Sequence, residues 1–155
     1  MTKGVNYMLN HASRTQISRH LSQCDDDFVQ SLSDRVEIDD YSGKIADKAT
    51  RFEAWTDVDL IGLVAIYAND TESRVAFVTS VSVLPQWQGR GVASKLMRRC
   101  IEYVKEICFR SIELEVVSDN VCAIRLYEKM GFVVDETRGR FATMSLNIKK
   151  GTYEQ

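Results

Sequence analysis

The chain has 155 residues, of which 45% are hydrophobic and 27% are charged, with 20 basic and 22 acidic side chains. This composition is typical of an ordinary globular protein, and we expect residues 1–155 to form a single domain. The balanced charge gives no electrostatic reason to expect a nucleic acid or an anionic membrane as a partner. Because the longest apolar run, residues 60–68, is too short to span a bilayer and the N-terminus lacks a signal-peptide core, we expect a cytoplasmic protein.

The cysteines and histidines form no recognisable metal or nucleophile motif. The four cysteines contain no Cys-x-x-Cys pair, which argues against a zinc or thioredoxin-type site, and buried thiols act as small hydrophobes. The two histidines, His11 and His20, lie near the N-terminus, and neither belongs to a nucleophile elbow. We therefore expect no metal ion and no Ser-His or Cys-His enzyme.

The first fifty residues predict one strand followed by two helices. Ile17, Leu21 and Cys24 recur at the spacing of one helix face. Asp39 or Asp40 is expected to cap the second helix. The expected ranges are a strand over 5–9, a helix over about 13–23 and a helix over 39–49, with an acidic run at 25–27 between the helices.

From residue 51 onward the hydrophobic pattern predicts a core of strands and helices. Three strands joined by short polar turns form an antiparallel meander, and a helix with one apolar stripe follows. A strand, a helix opened by Ser-Asp-Asn and a final hairpin complete the order, which predicts a mixed sheet with helices on its faces. The expected ranges are strands over 51–55, 59–68 and 74–84, a helix over 91–104, a strand over 111–117, a helix from about 120 to 130 and a hairpin over 132–148.

The junction Gln88-Gly89-Arg90-Gly91 lies between the last strand of the meander and the helix that follows it. Glycine has no Cβ and the first turn of a helix has unpaired N–H groups, so such a loop can bind a phosphate group. The alternative is a tight turn that needs only the conformations open to glycine. Neither a P-loop nor a Gly-x-Gly-x-x-Gly nucleotide fingerprint is present.

Asn120 and Tyr127 lie about two turns apart on one side of the last predicted helix. Asn120 is also a good helix N-cap, and Tyr127 also fits a core position in the apolar stripe. Each residue, taken alone, therefore has a purely structural explanation.

Together, the two motifs resemble the Gcn5-related N-acetyltransferase (GNAT) superfamily, and the resemblance covers about residues 50–147. The glycine junction follows the acetyl-CoA loop of that family, Gln/Arg-x-x-Gly-x-Gly/Ala. The later family signature, Asn-x-x-Ala-x-x-x-Tyr-x-x-x-Gly-Phe, is matched by Asn120, Ala123, Tyr127, Gly131 and Phe132. The motif spacing is similar to that of bacterial single-domain members of the ribosomal-protein alanine acetyltransferase type.

The resemblance implies an α/β (α+β) fold in three layers. Its mixed, mostly antiparallel sheet of about six to seven strands would carry about four helices on its faces and would splay between strands 4 and 5. Residues 1–50 would supply the acceptor-side helices, and residues 51–147 the cofactor-binding core.

The resemblance also implies an acetyl-CoA site, with no metal. The main chain of Val81, Ser82 and Val83 would pair with the pantetheine arm, as a peptide adds to a sheet edge. The loop and first helical turn would hold the pyrophosphate, and Asn120 would bind the pantetheine region. The residues of this loop and turn are Gln88, Gly89, Arg90, Gly91, Val92, Ala93 and Ser94.

Two residues are implied for the chemistry. Tyr127 would lie near the cofactor sulfur and protonate the leaving thiolate, since a phenol is protonated at neutral pH. Glu115, on the strand face opposite Ile112 and Leu114, is the candidate base for the acceptor amine. The alternatives are a solvated strand face formed by Glu113 and Glu115, or an ordered water that carries the proton.

The resemblance implies an acceptor bound between the N-terminal helices and the last hairpin. We expect a small-molecule amine or a peptide N-terminus, acetylated by direct attack in a ternary complex, in a monomer or homodimer. The alternative is a non-catalytic acetyl-CoA-binding sensor or regulatory module, which would bind the cofactor without acetyl transfer. The acceptor-side candidates are Asp25, Asp26, Asp27, Asp39, Asp40, Tyr41, Lys44, Arg138, Arg140 and Phe141.

Overall fold

The structure is a computed structural model that describes residues 4–24 and 37–148 of the chain. Within these ranges seven strands form one sheet, together with four α-helices and a short 3-10 turn at Pro85–Trp87. The strands are β1 (Asn6–Leu9), β2 (Thr50–Thr56), β3 (Asp59–Tyr67), β4 (Val75–Val83), β5 (Ser111–Val117), β6 (Val133–Arg138) and β7 (Phe141–Asn147). The helices are α1 (Arg14–Cys24), α2 (Ile38–Lys48), α3 (Val92–Glu106) and α4 (Val121–Lys129).

The sheet has the order β1-β2-β3-β4-β5-β7-β6, and every neighbouring pair is antiparallel except β4 and β5. Short turns suffice for the meander β2-β3-β4, whereas the parallel step from β4 to β5 needs a crossover, which α3 supplies. The predicted mixed, mostly antiparallel sheet with helices on its faces is confirmed.

The strands β4 and β5 pair only over their first halves. Val75 to Val78 pair with Ser111 to Leu114, and the Val78–Leu114 pair is the last. Beyond it β4 runs on to Val83 without a β5 neighbour. The predicted splay between strands 4 and 5 is therefore confirmed, and it leaves a gap in the middle of the sheet.

The helix α3 covers one face of the sheet with the apolar stripe that the sequence predicts. Five members of the stripe are buried, and Ile101 is partly exposed. Gly62 on β3 allows this close packing, because a Cβ there would lie 2.8 Å from Cγ1 of Val92 and 3.2 Å from Cδ1 of Leu96. The start of α3, which carries the glycine loop, is thus held against β3.

The other face of the sheet is covered only in part. The helices α1 and α2 pack Ile17, Leu21 and Ile45 against β2 and β3, where Trp55 and Leu63 are buried. This coverage leaves the corresponding face of β4, β5 and β7 accessible.

We call this uncovered surface the open face and define it by Phe77, Glu113, Glu115, Thr143 and Ser145. Strand register brings these side chains together, since Phe77 pairs with Glu113, Glu113 with Ser145, and Glu115 with Thr143. Phe77 is 42% exposed although β4 lies in the centre of the sheet. The ring of Phe77 is therefore accessible from this side of the sheet.

Both faces of the strand β2 are buried, including the face that carries Arg51 and Glu53. Glu53 accepts hydrogen bonds from the backbone N–H of Ala12 at 3.0 Å, from Nε1 of Trp55 at 2.9 Å and from Nε of Arg51 at 3.1 Å. Arg51 also donates to the carbonyl of Ala12 at 3.0 Å. A buried ion pair is tolerated here because its remaining polar atoms are hydrogen-bonded.

The expected caps of α2 were wrong. The helix begins at Ile38, so Asp39 and Asp40 lie inside its first turn, and the preceding residue, Glu37, caps it by accepting from the backbone N–H of Asp40 at 3.0 Å. Asp39 instead pairs with Arg14 of α1 at 2.9 Å. A helix that starts one residue early moves the capping task to the residue before it.

Candidate functional site

A cavity of about 670 Å³ lies where β4 and β5 splay apart. The strand end, the glycine loop, the start of α3 and the start of α4 together form its walls. The predicted residues among its lining are Val81, Ser82, Val83, Gln88, Gly89, Gly91, Val92, Ala93, Ser94 and Asn120. The lining residues that the sequence did not single out for this site are Cys24, Trp87, Cys122, Ala123 and Leu126.

The glycine loop has the backbone geometry that the residue type permits. Gly89 has a φ of +76° and Gly91 a φ of +81°, both in the left-handed region that favours glycine. Gly91 is the N-cap of α3, and no side chain caps the helix there. The first N–H groups of α3 therefore face the cavity wall without a side-chain acceptor, as an anion site requires.

The neighbours of the glycines have different roles. Gln88 holds the loop, since its side-chain amide donates to the carbonyl of Val83 at 3.2 Å. Arg90 does not line the cavity; its guanidinium lies 4.9 Å from the centre of the Trp87 ring. That Arg90 binds the cofactor stays a prediction; its side chain stacks on Trp87, which itself lines the cavity.

Asn120 combines the two roles that the sequence left open. Its side-chain oxygen accepts from the backbone N–H of Ala123 at 3.2 Å, which caps α4. Asn120 also lines the cavity. Because the cap uses the oxygen, the two N–H donors of its amide are left for a ligand.

Tyr127 is buried, 7% exposed, and packs against Phe132 with 5.9 Å between the ring centres. Burial raises the pKa of the Tyr127 hydroxyl to about 12, so the phenol is protonated at neutral pH. In residues 4–24 and 37–148, no group hydrogen-bonds this hydroxyl. Tyr127 does not itself line the cavity; it lies in the adjoining core, next in sequence to Leu126, which does line it.

Glu115 follows immediately after the last pair of β4 and β5. Its side chain is exposed on the open face, opposite the buried Leu114 and Val116. Over the described parts of the chain, no cationic group lies within ion-pair distance of Glu115 or of Glu113. Both carboxylates are therefore available to a ligand on this face.

Two side chains that sequence patterns did not connect reach the unpaired part of β4 from the covering helices. Tyr41 of α2 donates its hydroxyl hydrogen to the carbonyl of Thr79 at 2.5 Å. His20 of α1 lies 2.8 Å from the hydroxyl of Ser82. The separation of 62 residues between His20 and Ser82 explains why no local pattern predicted the contact.

The remaining acceptor-side candidates are scattered. Lys44 lies 5.3 Å from the centre of the Tyr67 ring, whereas the exposed Arg138 pairs with Glu136 at 2.7 Å. Arg140 is exposed and Phe141 partly buried at the turn of the last hairpin. The acidic run of residues 25–27 lies outside the described residues.

Among the described residues, no helix is both long enough and apolar enough to cross a bilayer.

Residues 8–132 match the acetyltransferase (GNAT) family. The chain belongs to the GNAT family. The match extends from the first strand to the end of the Asn120–Phe132 signature, so the family relationship that the two motifs indicate is confirmed.

Curated relatives with this GNAT domain are named as acetyltransferases. The L-amino acid N-acetyltransferase AaaT of Escherichia coli is 35% identical over 102 residues, which are 64% of this chain and 60% of that protein. Streptothricin acetyltransferase of Streptomyces lavendulae is 31% identical over 94 residues, 61% of this chain and 49% of that protein. The matched segment thus spans about half to three fifths of the length of these relatives.

Solved structures share the fold at low sequence identity. The ribosomal-protein-S18-alanine N-acetyltransferase of Escherichia coli superposes with a TM-score of 0.71 at 18% identity, covering 93% of this chain and 95% of that one. The yncA protein of Salmonella typhimurium, solved with its cofactor acetyl-CoA, gives a TM-score of 0.72 at 18% identity, with 93% and 95% covered. These likenesses establish the GNAT fold of the chain.

Proposed function

We propose that this chain is an acyltransferase that moves the acetyl group of acetyl-CoA to a primary amine by direct attack in a ternary complex. One observation carries the proposal: the unpaired end of β4 and the glycine-opened N-terminus of α3 line the same cavity. The first suits a chain of amides, and the second suits a pyrophosphate. Acetyl-CoA contains both groups in this order.

The cavity fits the cofactor in its polar groups as well as its size. A volume of about 670 Å³ lies within the usual range of ligand sites, roughly 300–1,000 Å³. The backbone of Val81 to Val83 would pair with the pantetheine amides, because no β5 strand occupies that edge. The free amide N–H groups of Asn120 would donate to carbonyl groups of the same arm.

Tyr127 is the proposed general acid. Burial raises the pKa of its hydroxyl to about 12, so the proton is present when the leaving thiolate forms. The hydroxyl has no other hydrogen-bond partner in the described ranges, which leaves it available for the cofactor sulfur. Because Tyr127 lies behind the cavity wall, this role requires the wall to admit the sulfur.

The open face is the proposed acceptor site, with Glu115 as the general base. Glu115 lies at the point where the strands separate, so a base there is near the end of a cofactor that follows β4. A carboxylate without an ion-pair partner can accept the proton that the amine loses on attack. The alternative carrier is an ordered water, which the same face has room to hold.

The proposed acceptor is a small-molecule amine or the N-terminus of a peptide. The open face combines Phe77 with the carboxylates of Glu113 and Glu115, which suits a positively charged amine better than an anionic substrate. The related Bacillus subtilis protein, 29% identical over 75 residues, is a spermine/spermidine N(1)-acetyltransferase by name. Its name supports nitrogen as the acceptor atom.

The experiment is an assay of the thiol released from acetyl-CoA with a panel of amines, amino sugars and peptides with free N-termini. Each acceptor is compared with its N-blocked form, which keeps the shape and removes the reacting amine. Thiol release that depends on the free amine is the expected result. Tight acetyl-CoA binding without release across the whole panel would contradict transfer and favour a binding module.

A further inference from the structure

The part of β4 beyond the splay, Thr79–Val83, pairs with β3 from Ser80 onward but not with β5. We call it the free half of β4. An unpaired strand edge is less ordered than a paired one. A cofactor that pairs with it therefore loses part of its binding free energy to the ordering of the segment. Two side chains hydrogen-bond to this segment: His20 of α1 and Tyr41 of α2.

Tyr41 holds the first residue of the free half. Thr79 lies at an irregularity of the β3–β4 ladder, since Ala65 pairs with Ser80 and Ile66 with Val78, which leaves Thr79 without a partner on β3. The Tyr41 hydroxyl donates to the carbonyl of Thr79 at 2.5 Å and lies 2.8 Å from its Oγ1. The bulge is thus fixed by a tyrosine from α2.

His20 contacts the other end of the free half at Ser82 and determines the direction of the hydrogen bond there. Nδ1 of His20 lies 2.9 Å from the carbonyl of Leu60, which can only accept, so Nδ1 carries the hydrogen. Nε2 of the neutral ring is therefore an acceptor, and the Ser82 hydroxyl at 2.8 Å must donate to it. The oxygen lone pairs of Ser82, which lines the cavity, are left to accept from a ligand.

The environment of His20 favours this single arrangement. The ring is 1% exposed, and burial lowers its pKa to about 4, so it is neutral at physiological pH. The other group near Nε2 is the thiol of Cys24 at 3.7 Å, which is a weak donor. Among the described residues no carboxylate hydrogen-bonds the ring, and the Ser82 hydroxyl is a stronger donor to its single lone pair than the thiol is.

We propose that Tyr41 and His20 are positioning residues that hold the free half of β4 in the register and proton arrangement to which the amide arm of acetyl-CoA binds. Tyr41 fixes the bulge, and His20 makes Ser82 an acceptor for an amide N–H of the cofactor. This inference rests on the proposed function. It gives α1 and α2, which the sequence analysis expected to serve the acceptor, a direct part in binding the donor.

The test compares Tyr41→Phe and Ser82→Ala with Ser82→Thr and Tyr103→Phe. Tyr41→Phe removes the tyrosine hydroxyl and keeps the ring, and Ser82→Ala removes the serine hydroxyl and keeps the Cβ. Ser82→Thr keeps the hydroxyl and is the conservative rescue. Tyr103, partly buried on α3 against Phe52 and away from the cavity, is the matched control.

Three measurements are made on each protein: the Kd for acetyl-CoA by calorimetry, amide hydrogen exchange of residues 79–83 without ligand, and the steady-state KM values. We expect Tyr41→Phe and Ser82→Ala to raise the Kd about 5–10-fold, the loss of one hydrogen bond, and to speed exchange in this segment. Tyr103→Phe should behave as the wild type, and Ser82→Thr, which keeps the hydroxyl, should lose less affinity than Ser82→Ala. In steady state the KM for acetyl-CoA should rise with the KM for the amine unchanged.

The outcomes separate the two claims. If the wild type binds acetyl-CoA and both hydroxyl-deleted variants keep its Kd, the positioning role is wrong while the proposed function stands. If exchange speeds up without a change in Kd, the contacts are structural only and the inference is also wrong. If the wild type itself does not bind acetyl-CoA, the proposed function fails first, and the inference falls with it.

Discussion

Val78 pairs with Leu114, and this pair is the last one between the parallel strands β4 and β5. The next residue on β4, Thr79, is held by Tyr41, and the next on β5, Glu115, is exposed on the open face. The bulge, the candidate base and the start of the proposed cofactor site therefore lie within one residue of this pair.

Gly91→Ala should weaken acetyl-CoA binding. A Cβ at Gly91 meets no atom within 4 Å, so the cost comes from the positive φ, about 1–2 kcal/mol of stability, and from a methyl group in the pyrophosphate path. Gly139→Ala is a matched control, because Gly139 also has a positive φ and open space but lies in the last hairpin. Both variants should lose similar stability in urea unfolding, and only Gly91→Ala should lose cofactor affinity. Equal affinities would argue against the loop as the phosphate site.

Tyr127→Phe should lower kcat by about 10²–10⁴ while the Kd for acetyl-CoA stays within about twofold, because a general acid acts in the transition state. Burial raises the pKa of Tyr127 to about 12, so the wild-type rate should show no alkaline loss from this group up to about pH 10. Single-turnover rates measured against pH check both statements. An unchanged kcat would rule out the acid role.

Glu115→Gln should slow turnover at neutral pH, because the amide cannot accept the proton that the amine loses. Glu113→Gln is the control, since Glu113 is exposed on the same face of β5 but lies before the splay. Its kcat should change little. If the two variants behave alike, the carboxylates contribute charge only, and an ordered water carries the proton.

Stability should fall as the pH is lowered from 6.5 to 4, with His20 as one cause. Burial lowers the pKa of His20 from 6.5 to about 4, so in this window the unfolded chain binds a proton that the folded chain does not. The linkage costs about 3 kcal/mol at the lower end. Urea unfolding at pH 7 and pH 4.5 should show a smaller loss for His20→Gln than for the wild type. His11→Gln, at an exposed position, should keep the wild-type loss.

Glu53→Ala should destabilise the chain by about 3–5 kcal/mol, because it leaves the buried Arg51 without its partner. Glu136→Ala breaks an exposed ion pair with Arg138 and should cost at most about 1 kcal/mol. Denaturant unfolding of the two variants gives the comparison. Similar losses would mean that the burial of the Arg51–Glu53 pair has no energetic consequence.

The sequence predicted those features that depend on residues close together in the chain. Hydrophobic spacing predicted α3, and the glycine pair predicted a loop with positive φ at a helix start. The family motifs led to the splay and to the walls of the cavity. Such features follow from local patterns that a single sequence contains.

Contacts between distant segments could not be predicted in the same way. His20 and Ser82 are 62 residues apart, and Tyr41 and Thr79 are 38 apart, so only the packing of α1 and α2 on the sheet brings them together. The side chain of Arg90 stacks on Trp87, a direction that its place in the motif did not predict. The direction of a long surface side chain depends on its neighbours in space, which the motif does not specify.

The central claim is that the cavity at the splay binds acetyl-CoA. Isothermal titration of the wild-type protein with acetyl-CoA tests it most directly, with Gly91→Ala as the variant altered at the site. We expect the wild-type protein to have one binding site per chain with a Kd well below about 1 mM, and the Gly91→Ala variant to bind more weakly. No heat of binding up to about 1 mM acetyl-CoA, with a folded protein, would contradict it.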